Sequence, residues 1–187
     1  MYPETWLSRR VDRLLERLDA WLGWIWLVLL GVIVLNVVLR YAFGEGRIEF
    51  EEIQWHLYAI GMMLGLSICY KDDAHVRVDV LHERLRPRLR AWIELYGISL
   101  LLLPFVTLVL VYGIPFVKES YASSEVSQAP GGLPLRWLMK AVLPLGFALL
   151  GLAALARLTR VCVYLFRDDS PRSAENPNVK GERHVDQ

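Results

Sequence analysis

The segment WIWLVLLGVIVLNVV, Trp24 to Val38, carries a single polar side chain, Asn36. A helix on a soluble surface keeps a polar stripe toward water, whereas one that is apolar on every face belongs in a large core or in lipid. Taken outward to Trp21 and Leu39, the run approaches the ~20 apolar residues that cross ~30 Å of hydrocarbon. Three more runs, Ile53 to Tyr70, Leu95 to Val117 and Ala141 to Ala156, are also almost free of Asp, Glu, Lys and Arg. The 55% apolar composition exceeds the roughly 45–50% of soluble domains, although the charges are crowded between the runs. The sequence predicts an all-α integral membrane protein with four transmembrane helices, at about 21–39, 53–70, 92–117 and 137–160.

Orientation follows from Lys and Arg, because basic loops are retained in the cytoplasm. Arg9, Arg10, Arg13 and Arg17 precede the first run. The second loop, opening YKDDAHVRVDVL at Tyr70 to Leu81, carries Lys71, Arg77, Arg84, Arg86, Arg88 and Arg90, and six more basic residues follow from Arg157 onward. The first loop has only Arg40 and Arg47 among its glutamates. Both termini are therefore predicted to be cytoplasmic. The first run is too long for a signal-peptide h-region and lacks a small-x-small site after it, so it is expected to remain as a helix. Cys69 and Cys162 fall at cytoplasmic ends, where thiols stay reduced and serve packing. The formal net charge of +1 gives no reason to expect a nucleic-acid partner.

Before the first span, Leu7, Val11, Leu14, Leu15, Leu18, Trp21 and Leu22 recur at helical spacing with arginines between them, so residues 1–20 are predicted to be an interfacial amphipathic helix. The alternative is a plain cytoplasmic extension of the first span. Residues 21–166 form the membrane domain. Leu81, Leu85 and Leu89 suggest a second surface helix interrupted by Pro87, which suits a first helical turn. Pro104 should bend the third span, and Pro115 is expected to mark its outer end. Residues 167–187 are polar and aperiodic and are read as a disordered cytoplasmic tail.

Gly61 and Gly65 make a small-xxx-small pair that lets another helix approach closely, and Gly146, Ala148 and Gly151 invite the same reading. Glu49, Glu51 and Glu52 sit opposite Arg40 and predict an ion pair at the outer interface. His56 is the only histidine within a span, so paired axial haem ligands are missing. Walker-type loops, HExxH, GxSxG and mid-span carboxylate pairs are also absent from the sequence, and nothing in it supports an enzyme. Broken helices and midplane charges, which mark a self-sufficient carrier, are lacking too. A membrane redox or assembly protein holding a cofactor near His56 is the rival reading.

Several motifs resemble the DctQ-type small membrane subunit of tripartite ATP-independent periplasmic (TRAP) transporters. They are Arg40-Tyr41, Glu52 with Trp55, the Asp73 to Leu81 segment containing His75, Arg77 and Asp79, Glu125-Val126-Ser127, and Pro130 to Pro134 before Arg136-Trp137. The resemblance covers about residues 20 to 165. It implies a multi-pass subunit of a bacterial inner membrane, paired with a large DctM-type permease and served by a periplasmic substrate-binding protein. It implies no cofactor in this subunit, sodium ions in the large one, and symport of an organic anion. Arg40, Glu52, Trp55, Gly61, Gly65, His75, Arg77, Asp79, Glu125 and Arg136 are the expected partner contacts.

Overall fold

The computed structural model describes residues 3, 5–74, 85–129 and 131–167, and every regular element among them is helical. They are α1 (Trp6–Ala42), α2 (Ile48–Lys71), α3 (Pro87–Tyr96), a π-helical segment (Gly97–Leu102), α4 (Leu103–Ala122) and α5 (Arg136–Arg167). Thr5 caps α1: its hydroxyl accepts from Ser8 N–H, and Thr5 N–H donates to Ser8 Oγ, which satisfies two of the donors a helix start leaves open. The helix then runs without a break through residue 20, so the amphipathic stretch is the opening of α1 itself. Pro87 opens α3, where its missing N–H is not needed. His75, Arg77 and Asp79, and the tail beyond Arg167, lie outside the described residues.

Pro104, Pro115 and Pro144 all lie in helical stretches. Pro104 cannot donate to the carbonyl one turn back, and its ring crowds that carbonyl. The chain widens just before it: Leu103 N–H reaches Ile98 O, five residues back, at the end of the π segment. Pro115 does not end the third helix as expected, because α4 continues to Ala122; a helix in lipid tolerates an interior proline when its surroundings absorb the lost bond. Pro144 lies within α5. A Cβ on Gly113 of α4 would sit 3.5 Å from Pro144 Cβ, so α4 and α5 approach closely at this point.

α5 is the hub. It packs on α1, α2, α3 and α4, and α1 also packs on α2, whereas α4 makes no comparable contact with α1 or α2. Small residues set these approaches. Gly146 of α5 faces Met63 of α2, Gly151 of α5 faces Val106 of α4, and Gly61 of α2 faces the Trp26 ring of α1. Val11, Leu15, Ala153 and Ala156 form a buried cluster where α1 meets α5.

The terminal end of the bundle, where α1 starts and α5 finishes, is tied by ion pairs. Arg157 reaches Glu94 of α3 and, at 2.7 Å, Asp73 just after α2. Arg160 pairs with Asp12, and Lys71 with Glu16 at 3.4 Å. At the same end Thr5 meets Thr159 at 2.9 Å, while at the opposite, loop end Arg40 meets Glu51 at 3.6 Å.

The outward faces are apolar: Trp24, Leu27, Leu30 and Val34 of α1, and Phe105, Leu108 and Val111 of α4, are all more than half exposed. Three helical stretches are long and apolar enough to cross a membrane, Trp6–Ala42, Pro87–Ala122 and Arg136–Phe166. The 24 residues of α2 reach about 36 Å, but Glu49, Glu51, Glu52, Gln54 and His56 make its first turns polar.

Candidate functional site

The loop end is organised around two glutamates. After α4, Ser124 takes a positive φ of 49°, and Glu125 N–H returns to Ser120 O at 3.1 Å. The Glu125 carboxylate accepts from Ser120 Oγ at 2.7 Å and from Lys140 Nζ, and Arg136 Nε lies 3.4 Å from its other oxygen. Arg136 N–H also donates to Glu125 O at 3.2 Å. Glu125 thus fastens the end of α4 to the first turns of α5.

Glu52 fastens the same loop to α2. Ser127 Oγ donates to one carboxylate oxygen, and Leu133 N–H donates to the other at 2.6 Å. Ser127 N–H pairs with Leu133 O at 3.3 Å, Gly132 N–H with Ala129 O at 2.9 Å, and Ala129 N–H with Ser127 Oγ at 3.3 Å. That last contact is a serine turn, in which the side chain replaces a backbone partner. Gly132 is required by space: a Cβ there would lie 2.5 Å from Ser127 Cβ and 2.8 Å from Glu52 Oε1. Gly131 is required by conformation, with φ +79°.

Both carboxyls are held below the usual carboxylate range. For Glu52 the hydrogen bond from Ser127 contributes most, then that from Leu133 N–H, and for Glu125 the hydrogen bond from Lys140 leads, then that from Ser120. Burial opposes both shifts without reversing them. Beside this latch lies an open cavity of about 230 Å³ lined by Glu52, Trp55, His56, Ser127, Arg136 and Met139. His56 Nδ1 is 2.5 Å from Glu52 O, and Trp55 is 68% exposed at the rim. The cavity sets a carboxylate, a guanidinium and an exposed indole side by side, a mixture that suits recognition of another protein. Among the described residues no group of three or more His, Cys, Asp or Glu could hold a metal ion.

The structure brings Glu52, Trp55 and Arg136 together and sets Glu125 beside them. Arg40 is elsewhere, on Glu51, with both side chains largely exposed. Gly61 and Gly65 face Trp26 and Leu22 of α1 within this same chain. Ser127, Gly132 and Lys140 were not singled out from the sequence as site residues. Ser127 offered two signals, its place in the Glu125-Val126-Ser127 motif and a hydroxyl two residues before the turn.

The chain matches the family described as Tripartite ATP-independent periplasmic transporters, DctQ component, over residues 29–163, more than two thirds of its length. It belongs to that family. The match runs from mid-α1 almost to the end of α5 and includes both glutamate anchors. The chain is similar to the sialic acid TRAP transporter permease protein SiaT of Haemophilus influenzae (strain 86-028NP), at 24% identity over 68% of this chain and 20% of that protein. It is also similar to a protein assigned as a TRAP transporter small permease in Haemophilus influenzae (strain ATCC 51907 / DSM 11121 / KW20 / Rd), at 40% identity over 33% of this chain and 38% of that protein. The chain therefore spans a fifth and about two fifths of the lengths of these relatives. A DctQ component is part of a membrane transporter and not an enzyme.

Proposed function

We propose that this chain is the small permease subunit of a TRAP-type secondary transporter in a bacterial inner membrane, scaffolding a large DctM-type subunit and helping to dock a periplasmic substrate-binding protein. In this reading α2 is the fourth span, both termini are cytoplasmic, and the loop end faces the periplasm. The charge bias supports that orientation, since among the described residues the terminal end gathers most of the Lys and Arg. The partners, sodium coupling and an organic-anion cargo come from what the family resemblance implies.

The observation that carries a docking role is the latch itself: Ser127, Leu133 and Glu52 fix the 123–135 loop to α2, so the rim around Trp55 is presented without an ordering cost on binding. The scaffold role is supported by the close helix approaches at Gly61, Gly146 and Gly151 and by the ion pairs that tie α5 to three other segments. Deletion of the gene, with complementation by the parent and by Trp55→Ala, tests this. The deletion should abolish uptake of the transported solute, and Trp55→Ala should weaken capture of the purified binding protein by the reconstituted two-subunit permease. Full uptake in the deletion strain would refute the proposal.

A further inference from the structure

We propose that the exposed face at the start of α1 is a binding site for the phosphodiester of anionic phospholipids. Trp6, Arg10, Arg13, Arg17, Trp21 and Trp24 follow one another at intervals of three or four residues. Helix positions so spaced lie on one face, and all six are exposed. The opposite face is occupied: Ser8, Val11 and Leu15 are buried, the last two against Ala153 and Ala156 of α5. The stripe therefore points away from the bundle.

Its charge is not neutralised locally. Asp12 is taken by Arg160 and Glu16 by Lys71, and among the described residues Arg10, Arg13 and Arg17 have no acidic side chain within ion-pair distance. Arg10 lies 4.0 Å over the Trp6 ring, which holds the guanidinium along the helix surface. Guanidinium is weakly hydrated and offers paired donors that match phosphate oxygens. The depth agrees. Thr5 meets Thr159 and Asp12 meets Arg160, so Arg10 and Arg13 are level with the charged end of α5; Arg17 follows beside the Glu16–Lys71 pair, and Trp21 and Trp24 begin the apolar run. Tryptophans at that boundary mark the headgroup layer. The three arginines precede residue 29, where the family match begins, so the site is a feature of this chain outside the matched region. It rests on α1 crossing the bilayer and not on any transport role.

The test uses the full chain in phosphatidylcholine vesicles, with spin-labelled phosphatidylglycerol and spin-labelled phosphatidylcholine compared for association with the protein. Phosphatidylglycerol should be preferred, and R10Q/R13Q/R17Q should lower that preference by at least about fivefold, the equivalent of one basic residue's ~1 kcal/mol at an anionic surface. The R10K/R13K/R17K protein should keep most of it, and Arg47→Gln at the opposite end should keep all of it. Tryptophan fluorescence of the unsubstituted protein, which needs no variant to fold, should be quenched more by brominated phosphatidylglycerol than by brominated phosphatidylcholine. Equal quenching, an unchanged preference in the glutamine variant, or an equal loss with Arg47→Gln would overturn the site. Displacement of the labelled lipid by inorganic phosphate would mark a soluble-anion site instead. Loss of a co-purifying large permease with lipid preference intact would mark a protein interface. Either result also overturns it.

Discussion

Gly146→Ala tests the packing of α2 on α5. The new Cβ would lie 2.7 Å from Met63 Cβ, whereas carbon pairs rest at about 3.5–4.0 Å, so the two must separate by about 1 Å. Met63 Cβ is bonded directly to its backbone, and no rotamer change can move it away. The helices themselves have to part, stretching the bond from Ser67 Oγ to Gly146 O, already long at 3.4 Å. Overpacking of this kind costs about 1–3 kcal/mol, which for a chain of this length lowers the unfolding midpoint by roughly 2–12 °C. Gly65→Ala is the matched control: its Cβ meets only Leu22 Cδ2, at an ordinary 3.8 Å, and alanine is the better helix former by about 0.5–1 kcal/mol. Thermal unfolding of the purified proteins in one detergent gives the comparison. A Gly146→Ala midpoint indistinguishable from the parent, or an equal fall with Gly65→Ala, would refute the reasoning.

Three further outcomes are expected. Because the Glu52 and Glu125 carboxyls are lowered from about 4.5, the stability they lend the loop is complete above that value and is lost as pH falls through the lower folded values. Amide protection factors across 125–135 should stay level from neutral pH to about 4.5 and drop below it, and a drop well above it would contradict the latch. Arg157→Ala deprives Glu94, itself 15% exposed, of its guanidinium and should cost on the order of 3 kcal/mol, whereas Arg40→Ala removes a largely exposed pair worth about 0–1 kcal/mol. Equal midpoints for the two variants would contradict that ranking. Glu125→Ala and Arg136→Ala should reduce uptake more than recovery of the two-subunit complex, as measured by transport and co-purification on the same preparations; parallel losses would assign them to assembly.

The helices were legible because their apolar runs are long and Pro87 and the 131–134 turn punctuate them. The pair Arg40 and Glu51 could be anticipated because both flank one short loop. What could not be read was the division of labour among three neighbouring glutamates. Glu51 turns to α1 and Glu52 to Ser127 and Leu133, more than seventy positions away, and no local periodicity encodes that pairing. Gly132 read as a turn former, yet its decisive property is the absence of a Cβ against Ser127. Pro115 misled because a proline stops a helix in water more reliably than in lipid, where leaving the helix would expose several more polar groups. Arg157 and Arg160 counted toward topology, but their carboxylate partners on three other segments depended on how α5 sits among its neighbours.

The central claim is that this chain functions as the fixed small subunit of a TRAP permease. Co-expression with a large DctM-type permease from the same genome, followed by affinity purification through a tag on the small subunit alone, tests this most directly. The two should elute as one stoichiometric complex that supports solute uptake only when the binding protein is added. A small subunit that elutes alone, while the large one transports without it, would contradict the account.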